Sequence, residues 1–381
     1  MSEQADGPDQ EQPLAGRQIG YLLEAPDRVG ANLAQQMMAL RDLGAEVTAI
    51  FMTGDPATAS LDGVADHRLG LELPKKALSG MRLRLAWRLR AALRTTSLDT
   101  LVCDQYKAVT AAALAQRLGA SKPRLYALLR GFQATDSRSR QRVYRLIAGR
   151  IHGIIALTAR QRHRIAKNLH WYSKERIHIV GNFIDGEQIR RTLLAREEAH
   201  SSLNIPEGRL VFGCIARFDP YKRIPDLLKA LSKLLEQRTD IHLVIIGDGR
   251  ERRSIQAEAS SLGLDEHLTL TGFLPDAKRF MTAFDVFVLP SEGDNFARVF
   301  LEAAAVELPV IGVNGGGTPD VLSPDAELIP RRDVTAFANA LRTHCEMSPE
   351  QRRQRGLKNR QWTEKRFNRE TLRQEILTAL R

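Results

Sequence analysis

The stretch from Phe284 to Gly317 constrains the fold more than any other part of the chain. Phe284 to Leu289 is a short branched and aromatic run that suits a buried strand. Pro290-Ser-Glu-Gly-Asp-Asn295 is a polar turn, in which Ser291 to Asn295 supply turn and N-cap chemistry. Phe296 to Val306 has a helix pattern, closed by Pro309 before the strand Val310-Ile-Gly-Val313. Gly315, Gly316 and Gly317 then form a turn that permits close backbone approach. Strand, helix and strand in that order make a parallel α/β sheet. The polar turn lies at its C-terminal edge, with a helix N-terminus opening beside it. Such sheets bind ligands at that edge, and free helix N–H groups suit an anion. Asp294 and Glu302 stand eight residues apart, one in the turn and one about two helical turns in, within reach of a single ligand. The plainer alternative is an ordinary strand–turn–helix unit with Glu302 on its surface.

A chain of 381 residues has room for two domains, each with its own core. Strand-like runs recur at Gln18–Glu24, Ala45–Phe51, Thr100–Asp104, Arg124–Leu129 and Ile151–Thr158, then at Leu210–Arg217, Ile241–Gly247 and Leu268–Leu274. Helical patterns separate them, among them Gly30–Leu43, with Leu33, Met37, Leu40 and Leu43 on one face, and Pro225–Leu235. The fold class is therefore α/β. No apolar run approaches the ~20 residues of a membrane span. Met1 to Gln12 is polar and acidic and reads as a disordered tail rather than a secretion signal. Cys103, Cys214 and Cys345 show no metal spacing. The first two sit in apolar runs as buried thiols, and a reducing cytoplasm is expected.

The net charge of +11 is unevenly placed. Residues 1–190 carry 28 Lys+Arg against 18 Asp+Glu, and residues 191–381 carry 28 against 27. Within 68–176 the ratio is 24 to 5, which implies an anionic partner or surface for the first half. Residues 68–94 are the densest part. Leu78, Met81, Leu85, Leu89 and Leu93 recur there at helical spacing, bordered by Lys75, Lys76, Arg82, Arg84, Arg88, Arg90 and Arg94. Two readings stand: a packed helix with a solvated basic face, or a helix lying on an anionic bilayer. His152 reads as a strand-end packing residue, and Thr158 as the cap of a helix beginning at Ala159.

The pair Asp294 and Glu302, with seven residues between, resembles the acidic-x7-acidic signature of the retaining glycosyltransferases of GT-B fold, family 4 (glycosyl transferases group 1). That family has Glu at the first position, and Asp294 is one methylene shorter. Arg217 and the loop Phe218-Asp-Pro-Tyr-Lys222-Arg223 resemble the family's Gly-Arg…Lys-Gly loop. Departure of a nucleoside diphosphate places growing negative charge on its β-phosphate, which two fixed cations and helix N–H groups stabilise without a metal. Ile177 to Asp185 resembles the Asn-Gly-Val-Asp segment that ends the first domain, with Gly181 and Phe183 in place of the usual Pro and Gly. Val29-Gly30-Ala31-Asn32 is similar to the family's first glycine loop; Gly30 either admits the diphosphate or only starts a helix. Arg130 stands where the family has a His facing the donor sugar, and an Arg there can grip an anionic sugar or acceptor group.

The resemblance implies two Rossmann-like, doubly wound parallel-sheet domains facing a cleft. Their expected limits are a tail over 1–14, an acceptor domain over 15–190, a nucleotide-sugar domain over 191–360, and a helix over 361–381 that returns to the first domain with Trp362, Phe367, Leu372 and Ile376. Arg217, Lys222, Asp294 and Glu302 would carry catalysis, Asp294 on sugar hydroxyls and Glu302 on the ribose. Gly30, Gly247, Gly272, Phe273, Leu274, Asn295, Phe296, Ala297, Arg298 and Val299 would line the donor, although Phe273 equally suits a core. No metal and no cofactor is implied beyond the donor itself, and no Asp-x-Asp triplet occurs. The expected partners are a nucleotide-sugar, a glycan or glycolipid acceptor of lipopolysaccharide or another cell-envelope polysaccharide, and an anionic membrane met through 68–94. That places the protein peripherally on the cytoplasmic face of the inner membrane. The alternatives are a nucleotide-sugar-binding protein without turnover, a sugar epimerase of the same fold, and a basic nucleic-acid-binding protein. The last lacks a stacking platform or recognition helix, so no nucleic acid is expected.

Overall fold

A computed structural model describes residues 12–78, 83–119 and 121–381. The chain divides into two compact units, one of residues 1–157, 162–183 and 369–381, the other of residues 158–161 and 184–368. Apart from the short excursion over 158–161, the chain passes to the second unit after Phe183 and returns after Asn368, where the sequence reading has 190 and 360. Nor does the tail reach residue 14. Leu14 is buried, and its N–H donates to the Leu43 carbonyl at 2.9 Å. Residues 1–11 lie outside the described ones.

The first unit holds β1 (Gln18–Leu23), β2 (Glu46–Phe51), β3 (His67–Gly70), β4 (Thr100–Asp104), β5 (Arg124–Leu128), β6 (Ile151–Ala156) and β7 (Ile177–Ile179). They form one sheet in the order β3-β2-β1-β4-β5-β6-β7, with every pair parallel. Strands of such sheets are covered on both faces, so they read as unbroken apolar runs, as β4 does. β3 escaped the sequence reading because His67-Arg-Leu-Gly70 has neither an apolar run nor alternation. Helix Ala31–Asp42 starts immediately after Gly30, its N-cap. A Cβ added at Gly30 would meet nothing within 4 Å, so helix initiation is the role visible there.

The basic stretch resolves into a 3-10 turn, Lys75–Leu78, and a helix, Leu83–Thr95. Its predicted apolar stripe is not free to meet a bilayer. Leu78, Leu85, Leu89 and Leu93 are buried in the first core, where the helix packs on the Gln105–Arg117 helix. Met81 and Arg82 lie outside the described residues. The opposite face carries Leu83, 50% exposed, and Trp87, 58% exposed, with Arg84, Arg88 and Arg94 beside them. Helical spacing shows that one face is apolar; it does not show what covers that face.

The second unit holds β8 (Leu210–Ile215), β9 (Ile241–Ile246), β10 (Leu268–Gly272), β11 (Val286–Leu289), β12 (Val310–Val313) and β13 (Glu327–Ile329). The order is β10-β9-β8-β11-β12-β13, again parallel throughout. Chain direction across the sheet reverses between β8 and β11. The loops leaving their C-terminal ends part there, and a crevice opens between them. Helices Val334–Glu346 and Pro349–Arg366 complete this unit. Trp362 and Phe367 also belong to it and pack on its core, contrary to the expectation that they return to the first domain. Only the helix Arg369–Leu380 returns, packing on helix Ala31–Asp42 and β7, with Leu372 and Ile376 buried.

Leu89→Ala empties fully buried volume and is expected to lose about 2–5 kcal/mol of stability. Trp87→Ala, on the outward face of the same helix, is expected to stay within about 1 kcal/mol. Thermal or urea unfolding of the two variants compares them directly.

Candidate functional site

At the reversal point of the second sheet a cavity of about 450 Å³ opens, lined by residues from the loops after β8, β9, β10 and β11. Arg217, Lys222, Gly247, Phe273, Leu274, Asp294, Phe296, Ala297, Arg298 and Val299 all line it. Gly272, Asn295 and Glu302 are not among its lining residues. Gly30 and Arg130 belong to the first unit.

The loop after β8 runs through a 3-10 turn, Pro220–Lys222, and Arg223 at φ +55° turns it into the helix Ile224–Leu235. That turn brings Lys222 Nζ to 2.7 Å from Asp294 Oδ2, with side chains only 11% and 15% exposed. Tyr221 joins the two loops a second time. Its carbonyl accepts from Glu292 N at 3.1 Å and from Ser291 Oγ at 3.3 Å, and its ring lies 5.5 Å from Lys222 Nζ. Arg217 is the outer cation, 68% exposed, bonded to Asp219 and 3.3 Å from the Tyr221 hydroxyl. Gly247, at the end of β9, has no substitute. At φ +150° its Cβ would lie 1.9 Å from the Ala216 carbonyl oxygen.

The turn around Asp294 is held from behind. Cβ atoms at Gly316 and Gly317 would fall 2.0 and 1.9 Å from the carbonyl oxygens of Asp294 and Asn295, and Gly317 N donates to Asp294 O at 2.8 Å. The triple glycine therefore serves the acidic turn by letting two backbones touch. Asn295 is buried, its amide donating to Gln161 Oε1 at 2.7 Å and its Oδ1 accepting from Thr158 Oγ1 at 3.2 Å. Thr158 also caps its helix, accepting from Gln161 N at 3.2 Å. The helix beyond the turn begins at Arg298, not Phe296, and Ala297 is an N-cap without a side-chain bond. Asn295 is thus an anchor for the loop and not the cap. The opening turn of that helix carries N–H groups without intrahelical acceptors. Glu302 sits one turn on, paired with Arg298 at 3.1 Å.

Arg130 makes two bonds, 2.6 and 2.7 Å, to the carboxylate of Asp104 at the end of β4. Burial pushes the Asp104 carboxyl above its ordinary range even with that partner. The guanidinium expected to grip a ligand is committed to a buried carboxylate. Phe273 is 74% exposed at the cavity rim, which removes the core reading for it. Among the described residues no group of three His, Cys, Asp or Glu could hold a metal ion, and Cys103, Cys214 and Cys345 are free and buried.

Residues 195–362 match the family Glycosyl transferases group 1, and residues 29–182 match the Glycosyl transferase 4-like domain. The C-terminal part of the chain thus belongs to the glycosyl transferases group 1 family, and the N-terminal part to the glycosyl transferase 4-like domain. It is 29% identical over 148 residues to N-acetyl-alpha-D-glucosaminyl L-malate synthase of Bacillus anthracis, which is 38% of each chain. With the lipopolysaccharide core biosynthesis glycosyltransferase LpsE of Rhizobium meliloti (strain 1021) it shares 28% over 171 residues, 44% of this chain and 47% of that one. The chain thus spans less than half the length of these curated relatives. The crystal structure of Anabaena Alr3699/HepE in complex with UDP superposes with a TM-score of 0.78 at 18% identity, over 95% of this chain and 99% of that one. At that identity the likeness is one of fold: two parallel-sheet Rossmann-like units, the GT-B architecture.

Two residues of the cavity wall and one in the acidic turn beside it were not singled out in the sequence. Tyr221 and Asp248 line the cavity. Glu292, 11% exposed, is gripped by Arg331 and Arg332 from the loop after β13, and Arg332 holds its carboxyl below the usual range. Tyr221, next to Lys222, had a local signal. Glu292 had none, because its partners lie some 40 residues away.

Proposed function

We propose that this chain is a retaining glycosyltransferase whose donor, a nucleotide-diphospho-sugar, occupies the cavity at the β8/β11 reversal. The observation that carries the reading is the pairing of Lys222 with Asp294 beside a helix N-terminus. It sets a cation and a carboxylate a hydrogen bond apart, where a phosphate and a sugar hydroxyl would be bound together. As the anomeric bond to the departing phosphate breaks, Arg217, Lys222 and the helix N–H groups receive the growing charge. The acceptor oxygen bonds to the anomeric carbon on the same face, and its proton passes to a phosphate oxygen. That route needs no side-chain base. Asp294 would hold sugar hydroxyls, and exclusion of water would limit hydrolysis. The UDP complex of Alr3699/HepE supports a nucleotide-sugar as donor.

The acceptor is a glycan or glycolipid of the cell envelope, anionic, membrane-bound or both, handled by the first unit on the cytoplasmic face of the membrane. The name of LpsE supports the lipopolysaccharide class. The surface supports an anionic bilayer through a different face from the predicted one. Leu83 and Trp87 project from one helix, and Leu146, 79% exposed, from helix Arg138–Ile147; both helices flank the Gln105–Arg117 helix. Arg84, Arg88, Arg94, Arg138, Arg142 and Arg145 on these helices have no ion pair among the described residues, and no acidic residue lies between Asp136 and Glu175. Exposed apolar anchors ringed by unpaired cations suit a headgroup layer.

A second reading, donor binding without turnover, draws on Lys222 and Arg130 both being engaged by carboxylates. Thermal shift against UDP, GDP, ADP, TDP and CMP tests the donor site. One diphosphate at 100 times its dissociation constant is expected to stabilise the wild type by about 2.7 kcal/mol and Arg217→Ala by much less. No shift with any of them would sink the proposal, and a shift without sugar transfer or donor hydrolysis would favour the second reading. For the surface, vesicles containing phosphatidylglycerol are expected to bind the chain in a salt-sensitive way, phosphatidylcholine vesicles weakly, and Trp87→Ala/Leu146→Ala several-fold less. Equal binding to both lipids, or tighter binding to DNA, would refute the membrane assignment.

A further inference from the structure

The strands of the first sheet are all parallel, so they begin at one edge, opposite to the edge where such sheets take their main ligands. Arg17 before β1, Arg124 opening β5, His152 in β6, Arg176 before β7 and His178 in β7 all belong to that starting edge. Tyr126 is their common neighbour. Arg124 Nη2 donates to its hydroxyl at 2.8 Å, and the His152 and His178 rings lie 5.5 and 6.4 Å from its ring, centroid to centroid. A glycine in β6 makes room for this. A Cβ at Gly153 would fall 2.6 Å from Tyr126 Cε1 and 3.3 Å from His178 Cδ2, so the tyrosine ring lies where a side chain would otherwise stand.

The cluster lacks a counter-charge. Arg130, Arg164 and Arg190 each hold a carboxylate, whereas Arg17, Arg124 and Arg176 form no ion pair among the described residues. Arg176 is bonded to backbone, its Nε donating to His152 O at 2.6 Å and its Nη2 to Ile151 O. Arg124 Nη2 also donates to the Arg381 backbone oxygen at 3.0 Å, but Arg124 Nε is shut off from solvent and has no partner. An unpaired donor on a charged group in a shielded position is costly. Two carboxylates stand on neighbouring segments, and both are engaged locally. Asp99 Oδ2 accepts from Gln18 N at 2.8 Å, and Glu175 accepts from the Ser173 hydroxyl. Burial, reinforced by Arg124 and Arg176, holds the His152 imidazole below its ordinary range. Burial, with Arg162, His152 and Arg176, does the same to His178. An arriving anion would reverse that balance and let both rings take up protons.

We propose that this edge of the first sheet binds a phosphate dianion, free or as a phosphate monoester, held by Arg17, Arg124 and Arg176 and by the imidazoles of His152 and His178. Guanidinium groups match phosphate oxygens in charge and geometry, and the orphaned Arg124 Nε gains the acceptor it lacks. Part of the 24-to-5 excess of basic residues over 68–176 thereby acquires a specific partner. The donor cavity belongs to the second unit, so this site does not rest on the donor reading.

Proton NMR of the histidine rings tests the proposal on the whole chain, with the two signals assigned through His152→Gln and His178→Gln. Inorganic phosphate at millimolar concentration, against chloride of equal ionic strength, is expected to raise both titration midpoints by about one pH unit. His67 and His200 are expected to stay unmoved. Arg124→Gln is expected to weaken the response several-fold, and Arg124→Lys less. Arg17→Gln, which removes an exposed side chain with no bond among the described residues, is expected to weaken it too and serves should Arg124→Gln fail to fold. A response to glycerol 3-phosphate would assign the site to free phosphate monoesters, and one seen only with vesicles of phosphatidic acid would assign it to a headgroup. An equal rise in chloride, a response shared by all the histidines, or one unchanged in both arginine variants would overturn the inference. So would a response lost in Arg217→Ala, which would place the anion in the donor cavity instead.

Discussion

The contact between Lys222 and Asp294 spans the one place in the second sheet where neighbouring strands send their chains in opposite directions. β8 leads outward to β9 and β11 leads outward to β12, so nothing in the sheet ladder holds their loops together. An ion pair of 2.7 Å, both partners mostly buried, does so instead. Removing either charge would strand the other in a poorly solvated position, which is costly, whereas the intact pair is near balance. In the proposed function, a donor that brings its own phosphate and its own hydroxyls takes over both groups, so the pair serves as a clasp between the loops and as a template for the donor.

The rest of the second unit serves that clasp. The Tyr221 carbonyl ties the loops a second time, and the glycines at 316 and 317 let the β12 turn press against the backbone of residues 294 and 295. Asn295 is pinned by Thr158 and Gln161, and Glu292 by Arg331 and Arg332. Four separate segments thus converge on a turn of five residues, Ser291–Asn295. Preorganisation of that sort is what a site acting on developing charge requires.

What was legible in the sequence followed from locality. Apolar strands such as Val286–Leu289 are unbroken runs, and Arg217, Lys222 and Asp294 follow strand ends closely enough that pattern set them in the loops lining the cavity, whereas Glu302, farther along its helix, is not among the lining residues. What was not legible depends on partners distant in sequence. Arg130 looked like a free cation because Asp104, its partner, lies 26 residues back on another strand. Asn295 looked like a cap because its true partners are more than 130 residues away. The helix Leu83–Thr95 looked ready for a membrane along Leu85, Leu89 and Leu93, yet the neighbouring alanine-rich helix covers that stripe and turns Trp87 outward. Short edge strands such as β3 and β13 carry too few residues for any period to show.

A crystal structure of the chain with the nucleoside diphosphate that stabilises it would bear most directly on the clasp. The β-phosphate is expected within hydrogen-bond distance of Lys222 Nζ, with Arg217 closing over it and the opening turn of the Arg298 helix behind it. A diphosphate seated elsewhere, with Lys222 still committed to Asp294 alone, would contradict the assignment of this cavity as the donor site.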